Sequence, residues 1–295
     1  MVVDYFEPTT LAEAVSLLDK YVDDASVIAG GQSLLVMMRQ RLVFPKYLVS
    51  LKRVAELNGV QEDASGNLLI GAGTTHKSVF TSTLLRRRAP LLCQAASKVG
   101  STAIRNLGTI GGNICHNELG ADPPQALLAL NAKAICAGPN GQRTIPLENF
   151  FTGYFETAIN RGEVLRTIEI PSPPSDSVGV YLKHVLRAGD LAIVGVAVQL
   201  SLEPGSKKCR DIRIGLGGVG AVPSRAYKAE QILRGNVIGD EIVNEAAHVA
   251  RSEVDPISDT HGSAEYRSKM VGVFAKRAIR QAVLMKTGEI HEATH

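Results

Sequence analysis

Two glycine-rich runs carry the most chemistry in this sequence: Ala29-Gly30-Gly31-Gln32-Ser33-Leu34 and Gly108-Thr109-Ile110-Gly111-Gly112-Asn113. Glycine has no Cβ, so consecutive glycines let backbone N–H groups come close to phosphate oxygens, and a following helix N-terminus adds a favourable partial charge. Ser33, Thr109 and Asn113 add side-chain donors, and two such loops in one domain suit the paired phosphates of a dinucleotide. A lone Gly-Gly is more often a tight turn, so it is the pair with its polar flanks that points to anion binding. A third cluster, Gly215-Leu216-Gly217-Gly218-Val219-Gly220, satisfies the G-x-G-x-x-G spacing of a Rossmann site. Here, however, Ala221-Val222-Pro223-Ser224-Arg225 stands where the helix should already be under way, and no strand–helix–strand alternation precedes it. This cluster reads as a structural turn at a strand end.

The elements that hold these loops follow from patterning. Thr10-Leu11-Ala12-Glu13 is a capping box, and Leu11, Ala14, Val15 and Leu18 share a helical face, which predicts a helix over 10–21. Ser26 to Ala29 is a short apolar strand that runs into Gly30-Gly31, and Ser33 to Arg41 is helical until Pro45 stops it. Further strands are expected at 47–51, 68–71, 134–137, 143–146 and 165–170, with Gly138-Pro139-Asn140-Gly141 as a hairpin turn and helices at 91–99 and 125–130. Residues 171–177, Pro-Ser-Pro-Pro-Ser-Asp-Ser, cannot continue a helix or a central strand and form the one plausible linker. Beyond it come three strand patterns, 179–187, 192–202 and 209–217, then helical patterns at 224–234, 240–252 and 263–286. The expectation is an α+β chain of two domains, 1–173 and 178–295, the second built on a three-stranded antiparallel sheet with helices.

Composition excludes several function classes. A length of 295 residues with 45% hydrophobic side chains suits two packed cores. Thirty-two basic against 29 acidic residues leave a net charge of +3, interspersed along the chain, which argues against nucleic acid as a partner. No apolar run approaches the roughly 18 residues of a membrane span, and the N-terminus, with Asp4 and Glu7, lacks the basic start of a secretion signal, so a cytoplasmic location is expected. Cys93, Cys115, Cys136 and Cys209 are too scattered for a zinc or iron–sulfur spacing and read as reduced, mostly buried residues. Arg86-Arg87-Arg88 reads as a solvated helix end, with docking of an acidic partner as the alternative.

Taken in order, Ala29-Gly30-Gly31-Gln32-Ser33, Gly71-Ala72-Gly73-Thr74-Thr75-His76, Thr109-Ile110-Gly111-Gly112-Asn113 and Ser263-Ala264-Glu265-Tyr266-Arg267 resemble the FAD-binding medium subunit of molybdenum hydroxylases, the carbon monoxide dehydrogenase and xanthine dehydrogenase group. The resemblance covers essentially the whole chain. It implies an FAD domain of the vanillyl-alcohol-oxidase/p-cresol-methylhydroxylase type followed by a smaller α+β domain that closes over the flavin. It implies noncovalent FAD whose pyrophosphate lies on the two glycine loops, Ala29, Gly30, Gly31, Gln32, Ser33 and Leu34 in one and Thr109, Gly111, Gly112 and Asn113 in the other. By position, Asp122 matches a cofactor-contacting aspartate, Leu165 an apolar residue near the flavin and Lys183 a basic residue of the flavin pocket. Leu191 stands where some relatives carry an aromatic residue. The residues alone leave Asp122 open as a helix cap and Lys183 as a solvated strand residue. His76 and His116 are expected to be ordinary hydrogen-bonding or exposed histidines rather than covalent links to the flavin.

The resemblance further implies a large partner with a molybdenum–pterin centre and a small partner with two [2Fe–2S] clusters, arranged as a dimer of heterotrimers, with electrons passing through this flavin to an external acceptor. No catalytic triad, acid–base pair or metal ligand is then expected in this chain. A free-standing FAD-dependent oxidoreductase and a structural subunit with a vestigial flavin site are the alternatives. The substrate, whether CO, a purine, an N-heteroaromatic or an aldehyde, is left open.

Overall fold

The computed structural model describes residues 3–289, so the extremes of the two expected domains, 1–2 and 290–295, lie outside it. The chain opens with β1 (Asp4–Phe6), α1 (Leu11–Lys20), β2 (Ala25–Ile28), α2 (Leu34–Arg39) and β3 (Tyr47–Ser50). The cap forms with its return bond one residue early: the Thr10 hydroxyl accepts from the Glu13 N–H at 3.2 Å, and the Glu13 carboxylate accepts from the Thr9 N–H, not from that of Thr10, at 2.9 Å. Leu11, Ala14, Val15 and Leu18 are buried, on the face that the sequence pattern picks out. The three strands make a parallel sheet in the order β1-β3-β2, which aims the C-terminal end of β2 and its glycines at the next layer.

The chain continues through β4 (Val60–Glu62), β5 (Leu68–Gly71), α3 (His76–Thr81), α4 (Thr83–Arg88), α5 (Pro90–Ser97), α6 (Thr102–Leu107), α7 (Ile110–His116), α8 (Pro123–Ala129), β6 (Lys133–Gly138), β7 (Gly141–Pro146), the small pair β8 (Phe151–Gly153) and β9 (Glu156–Thr157), and β10 (Val164–Ile170). A five-stranded antiparallel sheet, β4-β5-β10-β6-β7, packs on the helices. Four of these helices, α3, α4, α6 and α7, escape the periodicity argument because six or seven residues are too few to show a 3.6-residue repeat. Their signal is the cap instead: Thr75, Ser82, Ser101 and Thr109 each accept the N–H three residues on.

After 171–177 come β11 (Val178–His184), β12 (Val194–Leu202), β13 (Cys209–Gly217), β14 (Ser224–Arg225), α9 (Tyr227–Leu233), α10 (Asp240–Ser252) and α11 (Ala264–Thr287). The sheet has four strands in the order β11-β12-β13-β14 where three were expected, because Ser224 and Arg225 pair with β13 before the helix begins. The cause is Glu230: its carboxylate binds the Arg225 guanidinium at 2.6 and 3.0 Å and also accepts from the Ile214 N–H at 2.8 Å, which holds Arg225 against the sheet. The strands expected from 179 and 192 are shorter at the loop between them, which spans 185–193. Among the described residues no helix is long and apolar enough to cross a membrane.

The glycines of the third cluster serve packing. A Cβ on Gly215 would stand 2.0 Å from the Gln125 carbonyl oxygen, one on Gly195 2.2 Å from Gln125 Nε2, and one on Gly217 2.7 Å from Gln125 Cδ. The sheet of the second half can therefore close on α8 only because these positions lack side chains. Tyr181 and Ala197 on the same sheet join the apolar core of the first half, so the two halves share one packed interface.

Candidate functional site

The loops converge on a cleft of about 660 Å³ that runs from β2 and α2 past α7 to the 185–193 loop. Ala29, Gly30, Gly31, Gln32, Ser33, Leu34, Thr109, Gly111, Gly112, Asn113, Asp122 and Leu165 all line it; Lys183 does not, and stands behind the wall bonded to Asp122. The two glycine runs touch. A Cβ on Gly30 would meet the Leu107 carbonyl oxygen at 2.3 Å and Gly108 Cα at 2.7 Å, so both loops lie against one another at the cleft floor.

The two loops do not have equal backbone chemistry, contrary to the expectation that each is an N–H cradle. In the second, the N–H groups of Ile110, Gly111 and Asn113 donate to Thr74, Ala72 and Thr109 carbonyls at 2.9, 2.9 and 3.0 Å, and that of Gly112 donates to Thr109 Oγ1 at 3.0 Å. In the first, the N–H groups from Gly30 to Leu34 have no partner among the described residues, and Gly31 turns the chain at φ +70°. The first loop is thus the concave run of free donors that an anion needs. Ser33 precedes α2 without capping it, which leaves its hydroxyl available, and Gln32 folds back to donate to the Gly30 carbonyl at 2.9 Å. The second loop contributes space and side chains. A Cβ on Gly112 would meet only Thr109 Oγ1, at 2.9 Å, whereas one on Gly111 would strike Ala72 at 2.5 Å. Asn113 Oδ1 is buried in the cleft wall with no partner among the described residues.

At the other end, Asp122 and Lys183 form an ion pair of 2.8 Å with side chains 3% and 7% exposed. The Tyr181 hydroxyl donates to the other Asp122 oxygen at 2.6 Å and accepts from Gln125 Nε2 at 3.0 Å, and Lys183 also donates to the Lys98 carbonyl at 3.1 Å. Tyr181 and Lys183 are two apart on β11 and so share a face, the one turned to the first half. Asp122 makes no cap bond to α8 and Lys183 is not solvated, so neither is the helix cap or the exposed strand residue that its position alone allowed. Burial pushes the Asp122 carboxyl upward in pKa, and the Lys183 charge and the two hydrogen bonds oppose that shift. Tyr181 and Gln125 were not singled out in the sequence, where nothing but their company with Asp122 and Lys183 marks them.

The 185–193 loop closes the cleft from the second half through Gly189, Asp190 and Leu191. Ala192 N–H donates to Gly120 O and Gly218 N–H to Leu119 O, both at 2.9 Å, so backbone joins the halves here. Buried Arg267 holds the end of this loop, donating to the Ile193 and Gly218 carbonyls at 2.7 and 2.9 Å and to Asp259 at 2.6 Å, while Ser263 caps its helix. Leu191 is 56% exposed at the cleft mouth. His116 is half-buried against Phe155, and its pKa is lowered by burial and raised in lesser degree by Glu118. Arg88 binds Glu62 and donates to Gly66 O and Ser172 Oγ at 3.2 Å, and Arg86 donates to Phe80 O at 2.9 Å, so only Arg87 of that run is free of intramolecular work among the described residues. Among the described residues no three His, Cys, Asp or Glu side chains gather to hold a metal ion.

Residues 1–173 match the family model for the FAD binding domain in molybdopterin dehydrogenase, and residues 180–282 match the model for the CO dehydrogenase flavoprotein C-terminal domain. The chain belongs to the FAD-binding medium subunits of the molybdenum hydroxylases. Relatives in this family include the carbon monoxide dehydrogenase medium chain of Afipia carboxidovorans, 36% identical over 95% of this chain and 96% of that one. The carbon monoxide dehydrogenase structure from Hydrogenophaga pseudoflava superposes with a TM-score of 0.93 at 36% identity, covering 97% of this chain and 98% of that one. Quinoline 2-oxidoreductase from Pseudomonas putida 86 does so with a TM-score of 0.91 at 33% identity, over 97% and 98%. The chain is accordingly a flavoprotein component of an oxidoreductase, and its cofactor is FAD. The cleft fits that group: its volume lies within the ~300–1,000 Å³ of ligand sites, and among the described residues it offers five free N–H groups and leaves a buried side-chain oxygen unpaired.

Proposed function

We propose that this chain is the electron-transfer subunit of a heteromeric molybdenum hydroxylase, with 1–173 as the FAD-binding domain and 178–295 as the domain that closes over the flavin. Its electrons come singly from the [2Fe–2S] clusters of a small partner, which receives them from a large molybdenum–pterin partner, and leave to an external acceptor. The complex works in the cytoplasm as a dimer of heterotrimers. The observation that carries this reading is one cleft, in a chain of this family, bounded by two glycine loops at one end and a buried Asp122–Lys183 pair at the other.

In this reading the free N–H groups of Gly30–Leu34 hold pyrophosphate oxygens, and Ser33, Thr109 and Asn113 complete the polar lining. FAD held there supplies a centre that exchanges one electron at a time on one side and two on the other. Leu165, 3% exposed on β10, offers an apolar wall, and Leu191 lines the cleft as an aliphatic residue, without aromatic stacking. Asp122 and Lys183 fix the second half at the depth at which its loop excludes water from the flavin. The named activities of the relatives, on carbon monoxide and on quinoline, differ while the fold of this chain type does not, which supports a substrate chosen by the large partner.

Rapid mixing of the purified complex with its substrate tests the reading. The flavin should be reduced only when the cluster-bearing partner is present, and the isolated chain with FAD should oxidise no organic substrate. Turnover by the isolated chain at the rate of the complex would contradict the electron-transfer role.

A further inference from the structure

His76 lies in the wall of the same cleft, with an imidazole that takes no part in the contacts that build it. It is the first residue of α3, its own N–H donates to the Gly108 carbonyl at 3.0 Å, and the residue is 2% exposed. A Cβ on Gly108 would stand 3.3 Å from the ring Cδ2 and 3.5 Å from Gln32 Cγ, so the imidazole sits where the two glycine loops meet. Nδ1 is sealed from solvent with no partner, and neither ring nitrogen makes a hydrogen bond within the described residues. Burial, with the Arg105 charge adding to it, pushes the ring pKa down to about 4, so the imidazole is neutral near pH 7.

A buried imidazole with both nitrogens idle is an expensive choice for the fold, because leucine would fill the space without an unsatisfied polar group. We propose that His76 is a cofactor-binding residue: with the proton on Nε2, the nitrogen that is not sealed, it donates a hydrogen bond to a phosphate oxygen of the pyrophosphate between the two glycine loops. The proposal rests on the reading of the cleft as the FAD site. It assigns His76 the neutral donor of the phosphate end, where the first loop gives backbone N–H groups and the second gives side chains.

The test compares full-length chains stripped of cofactor, titrated with FAD by quenching of flavin fluorescence, with thermal unfolding of the same cofactor-free samples. His76→Leu should weaken FAD binding by about 10- to 100-fold, the range of a lost hydrogen bond to a charged group. At the same time it should leave the unfolding temperature of the cofactor-free chain unchanged or higher, since an unpaired polar group has been removed. His76→Gln, whose amide keeps a neutral donor, should recover most of the affinity. Gly112→Val is run alongside to test the cleft itself. If Gly112→Val abolishes FAD binding while His76→Leu binds as wild type, His76 has no part in the site and the inference fails. If Gly112→Val also binds FAD as wild type, the cleft reading fails with it. If His76→Leu lowers both affinity and the unfolding temperature of the cofactor-free chain, the ring is a packing element and the inference fails.

Discussion

Replacing Lys183 with methionine isolates the contact that joins the two halves beside the cleft. The change keeps much of the side-chain volume and leaves the Asp122 carboxylate, 3% exposed, with only the Tyr181 hydroxyl at 2.6 Å. Breaking a buried ion pair by removing one partner costs about 3–5 kcal/mol, most of it the penalty on the charge left behind. Unfolding entropy of about 2.1 cal/mol/K per residue over 295 residues is roughly 0.6 kcal/mol/K, so the cofactor-free chain should melt about 5–8 °C lower by calorimetry. Adding Asp122→Asn removes the stranded charge while keeping an acceptor for Tyr181, and the double variant should regain at least half of the loss. A Lys183→Met chain melting within 1 °C of wild type, or a double variant no better than the single one, would refute the claim that this pair locks the halves together.

Further outcomes follow from the same geometry. Gly111→Val should lower the melting temperature of the cofactor-free chain, because its Cβ would lie 2.5 Å from Ala72 Cβ and 2.6 Å from Ala72 O, and overpacking costs about 1–3 kcal/mol or more; an unshifted melting curve would contradict the packing. For His76 the folded pKa of about 4 lies below the ordinary 6.5, so protonation opposes folding: stability is at its full value above pH 6.5 and is lost as pH falls from there through 4. The difference amounts to about 3 kcal/mol, and His76→Leu should flatten the stability profile between those limits by that amount in denaturant titrations, identical profiles being the contrary result. Burial raises the thiol pKa of Cys136 to about 11, that of Cys209 to about 12, and that of Cys115 as well, so iodoacetamide at pH 8 should leave all three unmodified in the folded chain; peptide mapping that finds rapid labelling at any of them would contradict this.

Much of the positioning frame was legible because its signals are local. The capping box at Thr10, the hairpin at Gly138–Gly141 and the long alternating strands after the proline-rich segment each state their element within a few residues. The edge strand at Ser224–Arg225 was not legible, since it depends on a carboxylate five residues on that reaches back to the Ile214 N–H. The same distinction runs through the site. Glycine runs name both loops, but which loop has free N–H groups is decided by Thr74 and Ala72, some 35 to 40 residues earlier in the chain, which accept from the second loop. Asp122 and Lys183 can be matched to a family pattern one at a time, yet their bond spans 61 positions and two halves of the chain, and Tyr181 and Gln125 acquire meaning only from it. His76 sits in a quoted motif, but its idle nitrogens exist only in the folded cleft.

If FAD sits in the cleft between the glycine loops and the second half, Gly112→Val should displace it. That Cβ would stand 2.9 Å from Thr109 Oγ1, so the Thr109 side chain must turn aside and give up its cap bond to the Gly112 N–H, at a cost of about 1 kcal/mol that the fold should tolerate, whereas a cofactor lying there does not tolerate the side chain. The measurement is the flavin-to-protein ratio of the purified variant by absorbance, with circular dichroism to verify the fold. The account predicts a folded chain with little or no FAD. A folded Gly112→Val chain that carries one FAD per chain would contradict it.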